Sequence, residues 1–242
     1  MKVSLSNKIN TSIIENKKIS FKGNSINKDS IALSGDSTIR NAKLFVINGL
    51  QSDNPIECAV LIDNKKNKTI CQLSGESNFV KIPPKYLLLT LNPFSDITYL
   101  HGHPSRNNIT PTFSFGDMRM FLLNPGIKTM YAIGENGEEY IFEKERRPKN
   151  KKELLKELST KEQEFNQEIW AIKGGARLQE LIEKANSANS DEERGEIATE
   201  IGMLALYGDE NNNADYTDVY ARLDKYWIEH AKDYGVKYSK KI

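Results

Sequence analysis

The feature that most constrains this fold is a change of hydrophobic pattern at Arg146-Arg147-Pro148-Lys149-Asn150. Between Ala42 and Glu145 apolar residues come in short runs broken by Asn, Gly and Pro, as strands do. Beyond Asn150 the chain turns charged and helix-favouring. A length of 242 residues gives room for one full core and a smaller appendage. The expected organisation is therefore an arm over 1–40, partly disordered or laid down as an edge strand, an α+β domain over 41–147, and an α-helical region over 148–242.

Within the arm, Lys17-Lys18-Ile19-Ser20-Phe21 reads at best as a short edge strand. In the central domain, strands are expected at Leu44-Phe45-Val46-Ile47, Ile56 to Ile62, Thr69 to Leu73, Asp96 to His103, Thr129 to Ile133 and Glu139 to Phe142. Asn64-Lys65-Lys66-Asn67 and Asn136-Gly137 are hairpin signals between neighbouring pairs. Pro83-Pro84 sets a helix start before Lys85 to Leu91, where a buried strand is the alternative. Phe115 to Leu123 reads as a helix stopped by Asn124-Pro125-Gly126. In the tail, helices are expected near 151–173, 176–188, 191–207 and 216–233, with Gly174-Gly175 as one break and Asp209 to Asp215 as a polar loop.

Lys plus Arg number 34 against 33 for Asp plus Glu, which removes the basic excess that would mark a nucleic-acid or anionic-membrane binder. No run approaches the roughly 20 apolar residues of a membrane span, and the N-terminus lacks an apolar signal core, so a cytoplasmic location is expected. Cys58 and Cys71 are too far apart for a Cys-x-x-Cys pair and read as buried structural thiols.

The chemistry concentrates in His101-Gly102-His103-Pro104. Side chains on a strand alternate faces, so the two imidazoles project to one side and can share a metal. Asp117, in the first turn of the next helix, can be brought back to them by the intervening loop. Two histidines and an aspartate give Zn2+ three ligands and leave a fourth tetrahedral position for water, the arrangement of a catalytic site. A general base is then required, and Glu57 is the candidate, because a carboxylate in an otherwise apolar strand is costly unless it faces a cleft, a cation or water. Ser114 could stabilise an oxyanion. Each residue also has a plainer reading. Ser114-x-x-Asp117 could be a structural capping box, and Glu57 could form a buried ion pair. His230, alone on a helix, is an ordinary surface position, and the series Tyr216, Tyr220, Tyr226, Trp227 and Tyr234 is explained by helix packing.

Glu57, His101-x-His103-Pro104 and Ser114-x-x-Asp117 together resemble the signature of the JAMM (JAB/MPN) metalloprotease family, in its bacterial or phage RadC-like branch. The resemblance covers about Ala42 to Glu145. It implies a JAB/MPN-like, deaminase-like mixed sheet flanked by helices, with zinc on His101, His103 and Asp117, Glu57 activating water and Ser114 supporting the oxyanion. The activity it implies is hydrolysis of an amide or isopeptide bond in a protein or peptide, such as a ubiquitin-like conjugate. Gly102 stands where the family usually carries Ser, Thr or Asn, which on this reading widens the site. The loop from His103 to Ser114 is about three residues longer than usual, a change that surface loops absorb cheaply. The competing expectation is a non-hydrolytic zinc-binding scaffold of a phage or mobile element, acting on a protein partner through its helical tail. Association with DNA has no support from the net charge.

Overall fold

The computed structural model describes residues 35–53, 55–75, 80–105, 109–207 and 215–241. The expected arm up to residue 34, the loop residues Arg106-Asn107-Asn108 and most of the expected 209–215 loop lie outside the described residues. The chain is α+β. Among the described residues a six-stranded mixed sheet runs in the order β2-β1-β3-β4-β5-β6, formed by β1 (Cys58–Asp63), β2 (Lys68–Ser74), β3 (Ile97–Gly102), β4 (Ile127–Ile133), β5 (Glu139–Lys144) and β6 (Val236–Lys241). The helices are α1 (Ser37–Leu50), α2 (Pro84–Leu91), α3 (Phe115–Leu123), α4 (Lys151–Ser187), α5 (Asp191–Tyr207) and α6 (Thr217–His230). All neighbouring pairs are antiparallel except β3 with β4, which run parallel and are joined through α3.

Strand alternation sends one set of side chains to each face. Cys58, Val60, Ile62, Leu100 and Ile133 meet Ala42, Val46, Ile47 and Leu50 of α1. Ala59, Leu61, Ile97, Tyr99, Met130 and Phe142 meet α3, the first half of α4 and α6 on the other face. The turn at Asn64 to Asn67 and the hairpin at Gly137 (φ 90°) sit where the sequence places them. Lys85 to Leu91 takes the helical alternative, with Pro84 in its first turn. α4 is broken at Gly175, whose φ of 52° and ψ of −147° suit a residue without Cβ. Beyond the break, Leu178 and Leu181 pack with Ile197 and Leu204 of α5 in a small core of their own.

Two expectations are corrected. Leu44-Phe45-Val46-Ile47 is helical: Ala42, Val46, Ile47 and Leu50 form a helix-spaced buried stripe, and Asp36 caps the helix by accepting from the Ile39 amide at 3.0 Å. A short apolar run cannot by itself separate a strand from a buried helix. The C-terminal region is also not purely helical, since β6 pairs with β5 at the sheet edge. Its Val236 is buried and Tyr238 packs against the core, whereas its three lysines are exposed, so locally it reads as polar.

Candidate metal centre

His101 lies on β3 between two alanines, Ala59 of β1 and Ala132 of β4, and these small neighbours leave room for the imidazole. His103 follows the strand's last residue, and its amide still donates to the Ile133 carbonyl at 2.9 Å. Both histidines are buried, at 4% and 8% exposure. Gly102 between them points the other way. A Cβ there would lie 3.0 Å from Val46 and Leu50 of α1, so the glycine lets α1 pack closely. The expectation that it widens the site is corrected: strand alternation sets residue 102 on the opposite face from its neighbours.

Asp117 comes back to the histidines because α3 starts at the site. Ser114 is its N-cap, with the full reciprocal capping box. The Ser114 hydroxyl accepts from the Asp117 amide at 3.1 Å and donates to Asp117 Oδ2 at 2.7 Å, and the Ser114 amide also donates to that oxygen at 2.7 Å. Oδ2 is thereby anchored. Oδ1 lies 3.2 Å from His101 Nε2, and Oδ2 lies 3.5 Å from His103 Nε2. The two Nε2 atoms face each other at 2.9 Å, so they need either one proton between them or a cation shared by both. His103 Nδ1 lies 2.9 Å from the Pro111 carbonyl. A carbonyl can only accept, so Nδ1 carries a proton there and Nε2 is the nitrogen that faces His101 and Asp117.

Among the described residues, His101, His103 and Asp117 form a group able to hold a metal ion, with ligand atoms within 4.8 Å of one another. The donor set fits a small divalent cation: two imidazole nitrogens and one carboxylate oxygen from rigid elements. The electrostatics agree. Burial alone would raise the Asp117 carboxyl, but the charge and hydrogen bonds of the two histidines hold it well below the ordinary carboxylate range. Burial pushes His101 down from the ordinary imidazole value, against the pull of Asp117. Burial also works against charge on His103, yet Asp117, Glu57 and the Pro111 carbonyl raise it to about 9. The pocket thus attracts positive charge to the point where the three ligand atoms converge.

Glu57 precedes β1. Ala59 pairs with His101, so two residues further along the same antiparallel register Glu57 stands opposite His103. Its carbonyl accepts from Gly75 at 2.8 Å, which holds the segment beside β2. Burial, assisted by the Asp117 charge and opposed by His103, raises the Glu57 carboxyl to about 7, the range useful to a group that exchanges protons near neutrality. Glu57, His101, His103, Ser114 and Asp117 all line one cavity of about 540 Å³, so every residue expected at the site is found there. Ser114 is the exception in role, since its hydroxyl is committed to orienting Asp117.

The sequence did not point to the supports. Tyr99 stacks on His101 with ring centroids 5.2 Å apart. The segment carrying Pro111 is tied to distant residues: Tyr140 donates to the Thr110 carbonyl at 3.1 Å, Thr112 and Tyr238 share a hydroxyl bond at 2.7 Å, and Trp227 Nε1 donates to the Phe113 carbonyl at 2.6 Å. Phe165 and Ile169 of α4 and Tyr220 and Leu223 of α6 form an apolar wall of the cavity. His230 is outside the site, half-exposed and paired with Asp233 at 3.2 Å. Tyr216, Tyr220, Trp227 and Tyr234 are buried, as packing requires.

No protein family, curated protein or solved structure matches this chain. No helix among the described residues is long and apolar enough to cross a membrane.

Proposed function

We propose that this chain is a zinc-dependent hydrolase of amide bonds, a JAMM-like metallopeptidase or isopeptidase. The observation that carries the reading is the convergence of His101 Nε2, His103 Nε2 and an Asp117 oxygen beside the half-buried Glu57, at one end of a cavity. His101, His103 and Asp117 would hold the ion. When bound, zinc lowers the pKa of water and polarises a carbonyl.

The rest is done by protein groups. Glu57 takes a proton from the attacking water and returns it to the leaving nitrogen, a role for a carboxylate that lines the same cavity as the three ligands. His103 is kept in one tautomer by the Pro111 carbonyl, so its inward nitrogen stays available. Ser114 positions Asp117. An oxyanion role for Ser114, which the family resemblance implies, would require its hydroxyl to turn from Asp117 towards the substrate. The apolar wall from α4 and α6 excludes water and offers a surface to a substrate side chain. A protein or peptide is the substrate this cavity favours, and the tail helices build part of its binding surface.

The test is turnover of a panel of peptide and isopeptide substrates by zinc-loaded protein and by Glu57→Gln. Activity in the native chain, lost in the variant with metal retained, is the expected result. Undiminished activity in Glu57→Gln would sink the mechanism.

A further inference from the structure

A second cavity, also about 540 Å³, opens at the other end of α3. Five of its ten lining residues are cationic: Lys128, Lys144, Arg146, Arg147 and Lys151; the one acid is Glu145. The whole chain carries a net charge of only +1, so this concentration is local. No ion pair joins any of the five to a carboxylate among the described residues.

Two of the cations are held in place by backbone. Lys144 Nζ donates to the carbonyls of Phe121 and Asn124 at 2.6 and 2.7 Å, and Lys128 Nζ donates to those of Pro93 and Pro125 at 2.8 Å each. An ammonium has three donors, so each keeps one N–H unspent. Both are thus fixed in place with no carboxylate partner among the described residues. Burial together with the charges of Lys128 and Lys151 pushes Lys144 down to about 7, a field that an incoming anion would relieve. α4 begins at this cavity with no side-chain cap from Asn150, so the positive end of its dipole adds to the field. Beside the cations lie the apolar side chains of Pro93, Leu122, Pro125 and Pro148.

We infer that this cavity binds a phosphate-bearing small molecule of nucleotide size, its phosphate oxygens accepting from Lys128, Lys144, Arg147 and Lys151 and its organic part lying on Leu122 and the prolines. The volume falls in the range of small-molecule sites, about 300–1,000 Å³. Paired cations recognising phosphate oxygens supply strong, charge-assisted hydrogen bonds.

Calorimetric titration of the full chain with ADP, pyrophosphate and adenosine tests this, using native protein, His103→Ala, and the double variant Arg147→Gln/Lys151→Gln. Arg147 and Lys151 are exposed, so the double variant keeps the fold, which circular dichroism checks. ADP should bind best, pyrophosphate more weakly and adenosine not measurably. The double variant should weaken ADP by about tenfold or more, whereas His103→Ala should leave it unchanged. Absence of ADP binding, equal binding in the double variant, or loss of binding in His103→Ala would each overturn the assignment, the last by placing the anion at the metal centre.

Discussion

Replacing Glu57 by Gln is expected to stabilise the metal-free protein at neutral and alkaline pH, although it abolishes the proposed base. The folded state raises this carboxyl from 4.5 to about 7 through burial, with the Asp117 charge adding and His103 subtracting. Between those two values the folded chain binds more protons than the unfolded chain, so stability falls as pH rises through the window. The cost is absent below the lower value and fully present above the upper one. At 1.36 kcal/mol per unit this amounts to about 3 kcal/mol, an upper bound because Glu57 retains some solvent contact. Against a total stability of about 5–15 kcal/mol the effect is easily measured. Gln preserves shape and removes the charge. Urea unfolding of chelator-treated native protein and Glu57→Gln at about pH 5 and about pH 8 reads the difference. The variant should gain on the native chain as pH rises. A pH-independent difference would refute the reasoning, because it would mean that Glu57 ionises in the fold as it does in water.

Other expectations concern the scaffold. Lys43 and Glu139 form a buried ion pair at 2.6 Å between α1 and β5; Lys43→Met should cost about 3–5 kcal/mol, read in urea, and Lys43→Met/Glu139→Leu should recover most of it. Ser114→Ala removes the capping box and the anchor on Asp117 Oδ2; a loss of about 1 kcal/mol in thermal unfolding and of about 10–100-fold in zinc affinity by chelator competition is expected. Trp227→Phe keeps one aromatic ring but removes the pyrrole ring and with it the donor to the Phe113 carbonyl. That should cost about 1–3 kcal/mol in urea unfolding and loosen the segment supporting His103.

The site was legible in the sequence because its geometry is local. Strand alternation alone puts His101 and His103 on one face, and a capping pattern alone puts Asp117 in a first helical turn. Glu57 was legible as an anomaly, a carboxylate in an apolar run, and the register with His101 then explains its place. What stayed hidden depends on distant pairing. β6 has only Val236 and Tyr238 against the core and carries no local strand signal. The hold of Tyr238, Tyr140 and Trp227 on the Thr110 to Phe113 segment exists only once the tail has returned to the sheet. α1 was misread for a different reason: its apolar residues fall side by side at positions 44–47, and the capping Asp36 that separates helix from strand lies several residues upstream.

Elemental analysis of metal in protein purified without added zinc bears most directly on the central claim, comparing the native chain with His103→Ala and Glu57→Gln. About one zinc per chain is expected in the native protein and in Glu57→Gln, and a large loss in His103→Ala. A native chain that takes up no zinc even after incubation with the metal, or a His103→Ala variant that holds it as well as the native chain, would contradict zinc binding at His101, His103 and Asp117.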